Sequence, residues 1–113
     1  MGKAKQYKAK VVKVLSQIAS WTSDEEDVVT RFIQDNENGH YLLFDVGWHN
    51  DKRIYLPFID IDVTSEGKVW LQHDGTDLKI AQLLHEEGIP KSDIVIGFQS
   101  RRRRELMDEF AVD

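Results

Sequence analysis

The most constraining feature of the sequence is a period of two that runs through residues 28–73. Apolar and polar side chains alternate in VVTRFI and HYLLFDVGW, as is typical of half-buried β-strands. A third strand, RIYLPFIDIDV, is apolar on both faces in its first half, and a turn at residues 65–67 leads to a fourth, KVWLQH. Asn38-Gly39 is a strong hairpin signal because both residue types tolerate positive φ. The connections are short, so we predict an antiparallel four-stranded meander. Pro57 cannot donate to a ladder, so we expect an edge position or a β-bulge there.

Helical patterns flank this region on both sides. Apolar residues recur every three or four positions in residues 3–19, which predicts an amphipathic helix. A second helix is predicted at residues 77–87, with Thr76 or Asp77 as its N-cap. The sequence Gly88-Ile89-Pro90 predicts its end, because glycine tolerates positive φ and proline cannot continue a helix.

The remaining segments carry weaker signals. The sequence DIVIGF predicts a short fifth strand or an extended segment, residues 100–109 a short final helix, and residues 110–112 an apolar tail that docks. Trp21 begins a polar loop and is expected to fold back onto the core. We therefore predict an α+β fold: an antiparallel four- to five-stranded meander with helices packed on one face, in a single domain over residues 1–113. The other face keeps apolar residues that the C-terminal segment or a partner must cover.

Composition and charge narrow the function classes. The chain has no cysteine, which excludes disulfides and thiol nucleophiles and suits the cytoplasm, where we expect the protein to act. The N-terminus is too polar for a signal peptide, and no apolar run approaches the ~20 residues of a membrane span. The net charge of −5 disfavours direct DNA contact, because an acidic body repels phosphates.

One pattern has the residue order of a metal-dependent nuclease site. Asp60 and Asp62 share a strand face, and Glu66 and Lys68 follow them. That chemistry needs the glutamate and the lysine side by side on one strand, whereas Glu66 is predicted to lie in a turn. We therefore interpret these residues as the solvent side of a hairpin.

No other pattern predicts catalysis. The four histidines lack paired ligand spacing, and the serines and glycines form no nucleophile elbow, P-loop or dinucleotide fingerprint. We expect no enzymatic activity, no metal and no cofactor.

The arginine run near the C-terminus has competing interpretations: a solvated helix end, a protein-binding patch or a nucleic-acid contact. Four consecutive helical residues sweep ~300° around the axis, so these arginines cannot share one face. Arg101 can reach Glu105, and Arg104 can reach Asp108. The candidate partner contacts are Arg101, Arg102, Arg103, Arg104, Phe110 and Trp48. The candidate nucleic-acid contacts lie on the predicted first helix, at Lys3, Lys10 and Lys13.

Ordered short motifs over nearly the whole chain resemble the XisI-like proteins. They are Val46-Gly47-Trp48, Arg53-Ile54-Tyr55, Ile61-Asp62, Lys68-Val69-Trp70-Leu71-Gln72, Gly75-Thr76, Ile80-Ala81, Leu84, Gly88-Ile89-Pro90-Lys91, Asp93-Ile94-Val95, Gly97-Phe98 and Phe110-Ala111-Val112. The sequence departs from the family pattern at Ser100–Arg103 and at Asp113. The arginine run thus lies in a divergent stretch, which weakens a family-wide role for it.

The resemblance implies a factor that controls excision of the fdxN element in heterocyst-forming cyanobacteria. It implies a non-enzymatic accessory role beside a separate site-specific recombinase, through protein contacts with an XisH-type companion. A recombinase complex and a second copy of the chain are further candidate partners. Two alternatives stay open: a direct DNA-binding accessory protein that uses the lysine helix and the arginine run, and a small-molecule sensor, since an α+β sheet can hold a pocket.

Overall fold

A computed structural model describes residues 2–21 and 27–113 of the chain. The elements are, in order, α1 (Lys3–Ser20), β1 (Val28–Asp35), β2 (His40–His49), β3 (Lys52–Val63), β4 (Val69–Asp74), α2 (Ile80–Glu86), a 3-10 turn (Lys91–Asp93), β5 (Ile94–Ile96) and α3 (Arg101–Glu105). The α+β class is confirmed. Within the described residues, no helix is long and apolar enough to cross a membrane.

The strands form one sheet in the order β1-β2-β3-β4-β5. The first four strands pair antiparallel with their neighbours, which confirms the predicted meander. β5 instead pairs parallel with β4, so the complete sheet is mixed. The reason is α2, which carries the chain back to the end of the sheet where β4 began, so that β5 runs in the same direction.

The turns explain the register of the meander. Gly39 has φ +76°, as the hairpin signal requires, and the side chain of Asp35 accepts a 3.0 Å bond from the Asn38 N–H. The β2–β3 turn has two central residues with positive φ, Asn50 and Asp51, which suits a two-residue hairpin loop. Pro57 lies beside a bulge in the β2–β3 ladder, and the stretch of β3 that pairs with β4 begins only after it. The expectation for Pro57 is confirmed.

The core lies between α1 and one face of the sheet. α1 buries Tyr7, Val11, Val14, Leu15 and Ile18 against this face, which confirms the predicted helix. The matching sheet residues are Tyr41 and Leu43 of β2, Ile59, Ile61 and Val63 of β3, and Val69 and Leu71 of β4. Ile80 and Leu84 of α2 pack into the same cluster. Both long helices therefore cover one face, and the opposite face of β1–β3 is left open.

The start of α2 differs from the prediction. The helix begins at Ile80, and neither Thr76 nor Asp77 caps it. The carboxylate of Asp74 accepts instead from the N–H of Thr76 at 2.9 Å and from the N–H of Ile80 at 3.2 Å. The cap prediction was wrong because these bonds hold residues 76–79 in a loop. The predicted end is confirmed, since Gly88 has φ +115° and the Ile89 N–H reaches the Leu84 carbonyl at 3.2 Å.

The C-terminal segment docks on the sheet, as predicted. Ala111 donates to the carbonyl of Ile94 at 2.9 Å and bridges Val95 at the edge of β5. α3 ends at Glu105 and is shorter than the predicted 100–109. The prediction for Trp21 was wrong: its side chain is 61% exposed. Most of the loop that it begins, residues 22–26, lies outside the described residues.

Candidate protein-interaction surfaces

The four arginines of α3 divide into one inward and three outward residues. Arg104 donates to the carbonyls of Gln99 at 2.7 Å and Val112 at 2.8 Å, and its guanidinium lies 5.3 Å from the ring centroid of Trp70. It therefore ties α3 to the sheet and to the C-terminal tail. The expected reach to Asp108 is replaced by these contacts. Arg101 makes the expected ion pair with Glu105, at 3.7 Å.

The outward side of this corner combines charge with exposed apolar surface. Leu106 is 79% exposed, Phe98 in the segment before α3 is 49% exposed, and Arg102 and Arg103 are also exposed. Arg102, Arg103 and Leu106 line an open groove of about 600 Å³ together with Gln99, Ser100 and Met107. We call Phe98, Arg102, Arg103 and Leu106 the α3 surface. Its two apolar members carry no periodic signal, so the sequence did not reveal them.

The other two candidate partner contacts lie apart from the α3 surface. Phe110 is half-buried against the core, and Lys91 lies 5.8 Å from its ring centroid. Trp48 is 52% exposed at the far end of β2, where the guanidinium of Arg53 lies 5.3 Å from its ring centroid. Trp48 thus belongs to a second surface, on the uncovered side of the sheet.

That second surface is the sheet face opposite α1, in strands β1–β3. We call it the open sheet face; its apolar members are Val29, Ile33, Leu42, Phe44, Val46, Trp48 and Tyr55. The exposed fractions of Val29, Ile33 and Tyr55 are 57%, 50% and 65%. The alternating pattern of the strands was the signal for this face.

Charged residues lie at both ends of the open sheet face. At one end His40 pairs with Asp62 at 2.7 Å, and Gln72 donates to the other oxygen of that carboxylate at 3.0 Å. The bond to Asp62 raises the pKa of His40. Burial, and then the nearby charge of Asp62, raise the pKa of Asp60. At the opposite end, Arg53 stacks on Trp48.

The residues of the nuclease-like pattern do not meet. Glu66 lies in the β3–β4 turn, while Lys68 points to Asp93 at 3.7 Å and Asp113 at 3.9 Å. Asp62 is engaged by His40 and Gln72, as described above. Among residues 2–21 and 27–113, no group of three or more His, Cys, Asp or Glu side chains is arranged to hold a metal ion.

The three candidate lysines of α1 are engaged within the protein. Lys3 reaches the carboxylate of Asp93 at 3.4 Å, Lys10 donates to the Glu87 carbonyl at 3.1 Å, and Lys13 pairs with the Glu87 carboxylate at 2.9 Å. A phosphate backbone would have to compete with these contacts. Nucleic acid is therefore a less suitable ligand for α1 than the lysine count indicates.

Asp93 is the buried charge beneath the start of α1. It accepts from the hydroxyl of Tyr7 and lies within reach of Lys3 and Lys68. Burial alone would raise the pKa of Asp93, but the bonds from Tyr7 and Lys3 and the lysine charges outweigh it and lower that pKa. Burial, followed by the bond to Asp93, raises the pKa of Tyr7 to about 12.

For the small-molecule alternative, the described residues form an open groove of about 980 Å³ along the outer side of α1. It is lined by Gly2, Lys3, Ala4, Lys5, Lys8, Ala9, Val12, Asn36, Ser65 and Glu66. The groove is wide and lies on the surface, and the lysines and Glu66 supply its charges. It offers no enclosed apolar chamber of the kind that usually holds a small ligand.

These features define a small α+β domain with helices on one side of a mixed sheet and an open, charged face on the other. The chain belongs to the XisI family, since the family model described as XisI protein matches residues 1–112. It is similar to an XisI-like protein from Anabaena variabilis, with 36% identity, 96% of this chain and 98% of that chain covered, and a TM-score of 0.89.

A second crystal structure from Anabaena variabilis, the fdxN element excision controlling factor XisI, is 28% identical. The match covers 99% of this chain and 100% of that chain, with a TM-score of 0.84. No curated protein matches the chain. The family resemblance stated from the sequence motifs is confirmed.

Proposed function

We propose that this protein is a non-enzymatic accessory factor that controls excision of a DNA element by a separate recombinase. It acts in the cytoplasm through contact with an XisH-type companion. Family membership and the name of the excision controlling factor that shares this fold support the process. The observation that carries the mode of action is the α3 surface, where an exposed leucine shares a groove with two outward arginines and an exposed phenylalanine precedes the helix.

The composition of the α3 surface suits a protein better than a nucleic acid. Arginine and aromatic side chains are enriched at protein interfaces, and an exposed leucine gains from burial in an apolar pocket. Arg104 holds the helix rigidly from beneath, so docking requires little ordering of the backbone. The complementary surface on the companion is an apolar pocket with carboxylates on its rim.

A binding measurement with purified XisH-type companion tests this proposal. We expect a 1:1 complex by calorimetry, and an L106D/R102E variant that binds at least about tenfold more weakly, because it removes the apolar anchor and reverses the charge. K52E is the control for the charge change: it replaces a basic residue by an acid at the start of β3, away from the α3 surface, and should bind like the wild type. Equal binding by all three proteins, or no complex between folded partners, would contradict the proposal.

The engaged lysines of α1 and the net charge of −5 make protein contact the better-supported class over direct DNA binding. If the protein acts through protein contact, the recombinase cuts and joins the DNA. The present protein then controls whether the companion reaches the recombinase.

A further inference from the structure

We propose that two copies of this chain associate through the open sheet face, with the strands of the two sheets antiparallel. In this arrangement the basic end of each copy lies over the acidic end of the other. The inference rests on the charge pattern of the face and on symmetry, and it is independent of the excision role and of any companion protein.

The pairing register of the strands determines which residues of neighbouring strands lie at the same height, or level, on the open sheet face. Trp48 pairs with Arg53 at one end of the β2–β3 ladder, and His40 pairs with Asp62 at the other. Phe44 pairs with Pro57 midway between them. The open sheet face is therefore apolar in its middle, basic at the Arg53 end and acidic at the end that also holds Asp60.

Symmetry leaves two ways to stack this face on its own copy. A two-fold axis that exchanges two facing sheets must lie in the plane between them, either along the strands or across them. An axis along the strands would put the Arg53 end of one copy over the Arg53 end of the other, and the Asp62 end over the Asp62 end. An axis across the strands reverses one sheet, so that Arg53 of each copy faces the acidic Asp62 level of the other. Only the second arrangement pairs opposite charges.

The same operation matches the apolar residues. With the axis at the level of Phe44, which is itself buried beside Tyr55, Val46 lies over the level of Leu42, and Val29 lies over the level of Ile33. Two copies of one twisted sheet stack as an aligned sandwich about 10 Å apart. Half-exposed Val, Ile and Trp side chains would then lose their contact with water, which is the main driving force for association.

Two further residues bear on this stacking: Trp70 is compatible with it, and Arg31 opposes it. Trp70 of β4, already covered by Arg104, marks the border of the face, so α3 flanks the stacked strands. Arg31 lies on the edge strand at the level of Phe44, beside its own copy at the axis. Its like charge opposes the dimer, so R31S should strengthen self-association, whereas a partner with carboxylates at that position would bind R31S more weakly.

Sedimentation equilibrium of the purified protein tests the proposal by a charge-swap pair. R53D leaves acids at both ends of the face, and D62R leaves arginines at both ends. Each single variant should self-associate at least about tenfold more weakly than the wild type. An equimolar mixture should form a heterodimer, because the acid introduced by R53D then faces the arginine introduced by D62R, and the native Arg53 of one chain faces the native Asp62 of the other. The mixture should recover several-fold in affinity over either variant alone.

The matched control is K52D, which makes a similar charge change one residue away from Arg53 on the other side of the strand. Circular dichroism verifies that each variant folds. The proposal is overturned by a wild type that stays monomeric at concentrations on the order of 10⁻⁴ M. It is equally overturned by a K52D effect as large as that of R53D, or by a mixture that recovers no affinity. Failure of companion binding leaves these outcomes unchanged, so the two proposals fail separately.

Discussion

The bond from Tyr7 to Asp93 gives a stability prediction with a signed pH dependence. Y7F removes one hydroxyl from a buried ring and keeps its packing against the core. A hydrogen bond to a charged group contributes about 1.5–3 kcal/mol. Lys3 and Lys68 stay near Asp93 in the variant, so we expect a loss of about 2 kcal/mol in the free energy of unfolding at pH 7. For 113 residues this corresponds to a fall in Tm of about 8 °C.

The pH dependence follows from the direction of each shift. The pKa of Tyr7 rises on folding from 10.0 to about 12, so its contribution is fully present below pH 10 and is lost as the pH rises toward 12. A shift of about two units corresponds to roughly 2–3 kcal/mol, and the wild type should therefore approach Y7F at high pH. The lowered pKa of Asp93 acts at the acid end, where stability is lost as the pH falls below 3.8 through the folded pKa.

Chemical denaturation at pH 7, 10 and 12 measures these differences. Y55F is the matched control, because Tyr55 is 65% exposed and its deletion of a hydroxyl should change stability by less than about 0.5 kcal/mol. A Y7F loss no larger than the Y55F loss at pH 7, or a Y7F loss that stays constant up to pH 12, would refute the reasoning.

Four further predictions concern other parts of the molecule. G47A should cost on the order of 3 kcal/mol by thermal denaturation, because Gly47 has φ +154° and a Cβ would lie 1.8 Å from the Asp27 carbonyl oxygen; a neutral effect would contradict this. R104A should lower Tm by several degrees, since it removes two backbone bonds and the Trp70 contact, whereas R101A should change it little. Duplex DNA should bind the wild type no tighter than about 10⁻⁴ to 10⁻⁶ M near physiological salt, and sub-micromolar binding lost in an R101S/R102S/R103S variant would overturn that expectation. Incubation with DNA and Mg²⁺ should give no cleavage, and cleavage that disappears in D62A would show a nuclease site.

Local patterns predicted most of the fold. The alternation in residues 28–73 determined which side chains lie on each face, because side chains in a strand point alternately to opposite sides. Asn38-Gly39 and Gly88 marked a turn and a helix end because both positions require positive φ. The parallel direction of β5 was not predictable in this way, because it depends on how α2 crosses the sheet.

The predictions were wrong where the actual hydrogen-bond partner is distant in sequence, or where a nearby residue is a favourable partner by residue type. Thr76 and Asp77 are favourable caps by residue type, but Asp74 reaches the Ile80 N–H across the intervening loop. Arg104 has a suitable acid four residues later, yet its partners are backbone carbonyls that become available only when the tail docks. Leu106 is apolar in an irregular segment, where no period tells exposed from buried side chains.

The charges at the two ends of the open sheet face were also not predictable from local sequence patterns. Asp62 and the nearby histidine were visible in the sequence as candidates for other chemistry, and Arg53 was visible only as part of a family motif. Their opposite placement follows from the pairing register, in which Arg53 and Asp62 lie nine positions apart along β3. The pairing register depends on two hairpin turns and a β-bulge together. No single segment of the sequence therefore predicts that Arg53 and Asp62 lie at opposite ends of the face.

The position of α1 ahead of all five strands has a consequence for synthesis on the ribosome. Most of the stability of an amphipathic helix in a protein comes from tertiary packing, and the strands that bury α1 are translated after it. Tyr7 and Asp93 are 86 residues apart, which at roughly 5–20 residues per second corresponds to a delay of about 4–17 s. The β1–β4 hairpins can pair during that interval, since their contacts are short-range. α1 is therefore fixed only after the strands that bury it have been translated, and its apolar stripe stays exposed on the nascent chain until then.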